Sequence, residues 1–223
     1  MLATLQKISK QYDYPVLVEI SLTIHRGDSI AIIGPSGSGK STLLNILGTL
    51  DRPSSGRVIL NGEAVESLDD NQLAGIRNRF IGFVFQRHHL LPQLTLLENI
   101  LLPILPEKDR SVVKEAEQRA FRLLGRVGLS DRITHHPGQL SVGECQRAAV
   151  VRALINKPGL LLADEPTGSL DEEHASALGM LLVELNLEEE MGMVVVTHSV
   201  ELARGMKVIY RLHSGRLEKL EEA

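Results

Sequence analysis

The chain has 223 residues, 43% of them hydrophobic and 23% charged, with 24 basic against 28 acidic side chains and a formal net charge of −4. This fits one globular domain, or one core with an inserted subdomain, and argues against a dominant electrostatic attachment to nucleic acid. The single Cys145 excludes an internal disulfide and suits a reducing cytosol, and no apolar run approaches the roughly 18 residues a spanning helix needs. Aromatic residues make up only 3% of the chain, so Leu, Ile and Val must build the core. The N-terminus has no basic region followed by an apolar segment, so nothing there reads as a secretion signal.

Residues 2–33 read as three strands. Ile20, Leu22 and Ile24 alternate with polar neighbours, Arg26-Gly27-Asp28 is turn chemistry, and Ile30 to Ile33 is apolar throughout, as a strand covered on both faces would be. Tyr12 and Tyr14 precede this region, and either has the ring to stack on an adenine. Next comes Gly34-Pro35-Ser36-Gly37-Ser38-Gly39-Lys40-Ser41-Thr42, followed by Leu43, Leu44, Ile46 and Leu47 at helical spacing. Strand, glycine-rich loop and helix is the setting of a phosphate-binding loop. Glycines let backbone N–H groups turn inward around a polyphosphate, and the helix N-terminus adds its positive end. Lys40 is expected to reach the β- and γ-phosphates and Ser41 to sit on Mg²⁺.

Val58-Ile59-Leu60 before Asn61-Gly62 suggests a hairpin, Ser67 to Arg79 a helix with Leu73, Ile76 and Phe80 on one face, and Ile81 to Phe85 a strand ending at Gln86. From residue 88 the pattern changes. The leucine-rich stretch Leu90 to Leu105 is broken by Pro92, Gln93, Glu98, Asn99 and Pro103. A helix from Ser111 to Val127 follows, then a His-, Pro- and Gly-rich loop and a helix from Val142 to Ile155. This all-helical block interrupts an alternating strand–helix order and reads as an inserted subdomain, residues 88–155, in a core made of 1–87 and 156–223.

The α/β order resumes with the strand Leu160 to Ala163, ending in Asp164-Glu165. A helix after Ser169 has its stripe at Ala175, Leu178, Leu182 and Leu185. Val194 to Thr197 is a strand ending at His198. A short helix, the strand Val208 to Leu212, a turn at Ser214-Gly215 and a charged, mobile tail from Glu218 to Ala223 complete the expectation. Carboxylates at a strand's carboxyl end emerge where open α/β sheets bind ligands. Asp164 is placed to hold Mg²⁺, and Glu165 to act as general base for a water attacking the γ-phosphate. Gln86 and His198 follow their strands in the same way. Gln86 is a candidate Mg²⁺ ligand or water-orienting group, and His198 a γ-phosphate contact. The other histidines show no metal-ligand spacing and read as surface residues.

Leu140-Ser141-Val142-Gly143-Glu144 has capping-box spacing between Ser141 and Glu144. It would also present free N–H groups at a helix start, a second anion site. Two such sites far apart in one chain suggest that they meet across a dimer.

Taken together, the phosphate loop, Gln86, Leu140–Glu144, Leu160–Glu165, Ser169-Leu170-Asp171 and His198 resemble the ATPase subunits of ABC transporters along nearly the whole chain. The resemblance implies an α/β P-loop NTPase (RecA-like) core with an antiparallel β-subdomain and an inserted α-helical subdomain. It also implies a head-to-tail homodimer with ATP and Mg²⁺ sandwiched between one copy's phosphate loop and the other's Ser141, Gly143 and Glu144, and it favours Tyr12 as the adenine-stacking ring. The stretches Phe83–Pro92 and Leu94–Ile100 are similar to the lipoprotein-releasing group, whose relatives serve peptide and macrolide export and a cell-division system. This implies a peripheral ATPase on the cytoplasmic face of the bacterial inner membrane, gripping membrane permease subunits through residues 86–105, with the exposed leucines there suited to an amphipathic helix. A soluble ABC ATPase acting on nucleic acid and a non-catalytic nucleotide-binding regulator are the rival expectations. Paired ATPase domains or a coiled-coil insertion would point to the first, and neither is present; retention of Glu165, Gln86 and His198 argues against the second. Three positions depart from the family pattern: Val142 replaces the first signature glycine, Ser199 an aspartate after the histidine, and Ser169 an asparagine or alanine. Cys145 beside the signature reads as a passive helix residue.

Overall fold

A computed structural model describes residues 1–222. In chain order it has strands β1 (Ala3–Gln11), β2 (Pro15–Ile24) and β3 (Ser29–Ile33), helix α1 (Lys40–Leu47), strands β4 (Ser55–Leu60) and β5 (Glu63–Ala64), helix α2 (Asp70–Arg79) and strand β6 (Ile81–Val84). Helices α3 (Leu96–Leu101), α4 (Arg110–Arg126) and α5 (Val142–Leu154) follow without a strand between them. The chain then runs β7 (Leu160–Asp164), α6 (Glu172–Glu189), β8 (Gly192–Thr197), α7 (Val200–Arg204), β9 (Val208–His213) and β10 (Arg216–Glu222).

Two sheets result. One is antiparallel, in the order β2-β1-β4-β5; the other runs β10-β9-β3-β8-β7-β6, parallel except for the β9–β10 hairpin. The apolar runs of the parallel strands are explained by what covers them. Ile30, Ile32, Leu160, Leu162, Val194 and Val196 point into a core shared with α1 and the antiparallel sheet. Their alternate neighbours Ala31, Leu161, Ala163, Met193 and Val195 point into a second core with α6, α7 and the helical block. A sheet covered on both faces has no polar side to alternate with. The β4–β5 hairpin turns at Asn61 and Gly62, both at positive φ (48° and 86°), as a two-residue type I′ loop requires.

Several boundaries differ from the sequence expectation for local reasons. Helix α2 starts at Asp70 rather than Ser67, because Asp69 and Gln72 form a reciprocal capping box and Val65–Ser67 is a separate 3₁₀ turn. The tail is not mobile from Glu218. Ser214 and Gly215, at φ 48° and 74°, turn the chain into β10, which pairs with β9 from Arg216↔His213 to Glu222↔Val208. Leu217 packs on the core, and Ala223 lies outside the described residues.

The leucine-rich stretch is mostly interior. Leu90, Leu96, Ile100 and Ile104 are buried, Leu97 and Leu101 partly so, and only Leu91 and Leu105 stand exposed. Asn99, which seemed to break the apolar run, is fully buried and holds the loop before it. Its Oδ1 accepts from the Leu91 N–H at 2.7 Å, and its Nδ2 donates to the carbonyls of Leu91, Leu94 and Thr95 at 3.0, 3.2 and 3.0 Å. A buried amide satisfied in this way ties down a loop whose own residues Leu91 to Gln93 stay at the surface.

Candidate active site

Strand register brings the site together. Ile33 pairs with Thr197, Val196 with Asp164, and Val84 with Ala163. One or two residues beyond these pairs, Gly34, His198, Glu165 and Gln86 leave the same edge of the sheet. Parallel strands set level by their register must deliver their next residues side by side.

The loop after β3 has glycine where the backbone demands it. Gly37 and Gly39 take φ 78° and 100°, in the left-handed region. A Cβ on Gly34 would lie 2.3 Å from the Leu212 carbonyl oxygen, and one on Gly39 would press on Val16 and Leu17 at 3.0 Å. The loop therefore lies directly on its neighbours and opens outward at the start of α1. Lys40 Nζ donates to the carbonyls of Gly34 and Pro35 at 2.9 and 3.2 Å, which holds the ammonium at the mouth of the loop. Ser38 Oγ is buried within the loop beside Gly34 and has no protein hydrogen-bond partner, a polar atom that a phosphate oxygen would satisfy.

Asp164 and Ser41 meet across this mouth, with Ser41 Oγ donating to Asp164 Oδ1 at 3.3 Å. Burial pushes the Asp164 carboxyl above the ordinary range and the neighbouring Glu165 charge adds to this, while the Ser41 hydrogen bond and the Lys40 charge oppose it. Among the described residues no group of three or more His, Cys, Asp or Glu gathers as a protein metal cage would. Mg²⁺ asks for less, since it takes hard oxygens from one or two carboxylates and from substrate phosphates. The Ser41–Asp164 pair fits that donor set.

Glu165 sits at φ 45°, an uncommon conformation for a non-glycine residue, which its N–H bond to the Val196 carbonyl (2.9 Å) helps to hold. Its Oε2 accepts from Thr197 Oγ1 at 3.0 Å and from the His198 N–H at 3.2 Å, and lies 2.9 Å from His198 Nδ1. All three contacts use one oxygen, Oε2, and none uses Oε1. Thr197 was not singled out from the sequence, where it reads only as the last residue of an apolar strand. Gln86 is exposed beside Gly168, and its carbonyl accepts from Ser169 Oγ at 3.4 Å.

The other expected residues stand apart. Tyr12, 54% exposed, donates its hydroxyl to Asp51 Oδ2 at 2.6 Å, with Lys10 Nζ 4.7 Å from the ring centre. The Asp51 hydrogen bond pushes the phenol pKa up, and the Lys10 charge and the Thr42 hydroxyl oppose it. Tyr14 is more exposed, at 68%. Ser141 and Glu144 form the capping box of α5: Ser141 Oγ accepts from the Glu144 N–H at 3.2 Å, and Glu144 Oε2 from the Ser141 N–H at 2.8 Å. Glu144 also pairs with Arg132 at 3.1 Å; its bonds to the Ser141 backbone, then Arg132, hold its carboxyl below the ordinary range. The N–H groups of Val142 and Gly143 take no part in the box. Within one copy these residues bond to one another and to Arg132, not to the phosphate loop.

His88 and His135, expected at the surface, are partly buried. His88 Nδ1 accepts from the Leu90 N–H at 3.1 Å. Cys145 is buried against the Pro137 carbonyl, and burial raises its thiol pKa, as a passive helix residue requires.

Residues 17–168 match the family model described as "ABC transporter". The chain is 50% identical over 202 residues, covering 91% of it and 88% of the relative, to the lipoprotein-releasing system ATP-binding protein LolD of Pseudomonas syringae pv. tomato. It is 46% identical over 222 residues to the protein of the same name from Legionella pneumophila, with 97% of each chain covered. Among solved structures, a bacterial ABC transporter cassette in dimeric form superposes with a TM-score of 0.88 at 40% identity, with both chains fully covered. A dimeric post-hydrolysis state bound to ADP and Pi gives 0.85 at 37% identity.

Proposed function

The chain belongs to the ABC transporter family, and on that footing we propose that it is the ATP-hydrolysing subunit of a lipoprotein-releasing membrane complex. The observation that carries the catalytic part is the shared sheet edge. There the glycine loop, the Ser41–Asp164 pair and the Glu165–His198 pair meet within hydrogen-bonding reach of one another's strands.

In this reading the loop N–H groups and Lys40 bind the β- and γ-phosphates of ATP, Lys40 exchanging its two carbonyl contacts for phosphate oxygens. Ser38 Oγ finds its partner there. Ser41 and Asp164, with Gln86 as a further candidate ligand, would hold Mg²⁺, which would neutralise charge at the phosphates when bound. Glu165 Oε1 takes the proton of the attacking water, while Thr197 and His198 hold Oε2 and fix the carboxylate's direction. His198 is placed to contact the γ-phosphate, and Tyr12 to stack on the adenine once the phosphates seat beside Thr42.

Ser141 and Gly143 belong to a second copy's site. Two chains set head to tail around a two-fold axis would bring each α5 N-terminus onto the other's nucleotide. The solved relatives are dimers, which supports this arrangement. Membrane coupling fits a cleft of about 520 Å³ beside β6, lined by Leu50, Phe83, Phe85, Leu102 and Pro103 among others. We assign it to a helical segment of the membrane subunit. No helix among the described residues is long and apolar enough to cross a membrane. In this reading the chain sits peripherally on the cytoplasmic face of the inner membrane, on the strength of its likeness to the lipoprotein-releasing ATP-binding proteins. The helical block of residues 88–155 forms one wall of the cleft and the core the other.

The test is reconstitution. The chain, co-purified with its membrane subunits in lipid vesicles, is expected to release a membrane-anchored lipoprotein to a soluble acceptor only with Mg-ATP. Export of a soluble peptide or macrolide with no lipoprotein release would overturn the cargo assignment and leave the ATPase reading standing. Absence of any ATP turnover would overturn both.

A further inference from the structure

The segment carrying Gln86 is tied to a single helix. On one side, Gln146 of α5, fully buried, donates from Nε2 to the Phe85 carbonyl at 2.8 Å. On the other, Arg152 of the same helix donates from Nη2 to the His88 carbonyl at 2.7 Å and from Nη1 to the His89 carbonyl at 2.8 Å. A planar guanidinium can bridge two carbonyls only if both face the same way. His89 at φ 49° is part of the turn that makes them do so. A non-glycine residue in that region persists only where its surroundings hold it. The His89 ring meets Phe85 edge-on at 5.5 Å, and Phe85 stacks on Phe83 at 5.6 Å. Gln86 itself is exposed and is steadied by a single long bond, 3.4 Å, from Ser169 to its carbonyl. Its place at the sheet edge is therefore set by α5.

We infer that Arg152, assisted by Gln146, is a positioning residue for ATP hydrolysis: its fork over the His88 and His89 carbonyls makes α5 and the Gln86 segment one body, so that Gln86 follows the helix that begins at Ser141. The inference rests on the reading of Gln86 as part of the ATP site. Its consequence is that contact made by the start of α5 with a second copy's nucleotide is felt at the first copy's Gln86, some three turns of helix away from Ser141. The cavity beside β6 includes Arg152 and Phe85 in its wall, so an occupant there touches the same linkage.

The experiment is a double-mutant cycle on Mg-ATP turnover by the full chain, with kcat and KM measured for wild type, Gln86→Ala, Arg152→Gln and the double variant. Misplacement of a reacting group by about 1 Å can lower turnover by up to about a hundredfold. Arg152→Gln is expected to lower kcat about tenfold while KM for ATP stays within about twofold, since the phosphate loop is untouched. If Arg152 acts through Gln86, the double variant turns over no more slowly than Gln86→Ala alone. A double variant slowed by the product of the two single effects would overturn the inference and mark Arg152 as merely structural. Arg152→Lys keeps the charge but cannot bridge both carbonyls. It is expected to melt near the wild-type temperature with kcat still reduced, and full kcat in that variant would also overturn the fork. Should Arg152→Gln fail to fold, Gln146→Met, which removes the bond to Phe85 at similar volume, takes its place in the same cycle with the same two outcomes. A wild-type chain and complex with no ATP turnover would instead strike the reading beneath.

Discussion

The chain holds two anion-facing helix starts, and they are built on opposite plans. The loop before α1 depends on glycine: positive φ at Gly37 and Gly39, no room for a Cβ at Gly34, a buried Ser38 hydroxyl without a partner and a cation, Lys40, at the mouth. The start of α5 depends on its cap. Ser141 and Glu144 satisfy each other, Arg132 neutralises the carboxylate, and Val142 is 53% exposed beside the remaining N–H groups. The first brings donors and a positive charge together, and in the proposed reading holds the polyphosphate by itself. The second brings a few donors next to an acid, and in the same reading completes a site that another copy has begun.

The largest effect that would sharpen this contrast belongs to the first region. Glu165→Gln keeps the shape of the carboxylate as a carboxamide but removes the base. Turnover is expected to fall about a thousandfold, with ATP affinity within about twofold of wild type. Light scattering in ATP should then show a persistent dimer, and a variant with wild-type turnover would remove Glu165 from the mechanism. Next, Lys40→Ala should weaken ATP binding to the monomer about a hundredfold in calorimetry, the loss of charge-assisted bonds to two phosphates. Near-normal affinity in that variant would show that the loop's N–H groups suffice, and the contrast with α5 would lose its charge component.

Ser141→Ala addresses the second region. Loss of an N-cap lowers stability by about 1 kcal/mol, or about 2–4 °C in melting temperature for a domain of this size. Monomer ATP affinity should not change, while turnover, which needs both copies, falls about tenfold. A drop in monomer affinity would mean that the two helix starts share a site within one copy.

The first region was legible in the sequence because its signal is local. A strand, spaced glycines, Lys40 and a helix follow one another in the chain, and strand-terminal Gln86, Asp164, Glu165 and His198 declare their edge by following apolar runs. The α/β order was legible for the same reason, since covered strands must be apolar throughout. The structure's additions are non-local. Nothing near Thr197 in sequence says that its hydroxyl will meet Glu165, nor anything near Arg152 that it will reach the His88 and His89 carbonyls 64 and 63 positions earlier. Asn99 looked like a break in an apolar run because composition counts polarity, whereas its buried amide is what ties the loop from Leu91 to Thr95 onto α3. The tail was misjudged because charge was weighed above the Ser214-Gly215 turn and the single inward Leu217, which suffice for an edge strand.

The smallest effect lies at Val142. At Gly143 a Cβ would meet the His174 ring of the same chain at 3.5 Å, an ordinary van der Waals contact. Val142, by contrast, points away from its own fold, so its isopropyl group buries little and can meet only what approaches the start of α5. A branched side chain beside the two free N–H groups should hold an approaching phosphate slightly off them. Val142→Ala is therefore expected to raise turnover about two- to threefold at unchanged monomer affinity, with stability constant or slightly higher, since alanine is the better helix former. Val142→Gly removes the same bulk but adds backbone entropy, at a cost of about 0.5–1 kcal/mol. Turnover that rises in both variants identifies bulk as the brake. A rise in neither, with a fall in both, would mean that Val142 packs productively on the second copy, and the start of α5 would then act through apolar contact as well as through its N–H groups.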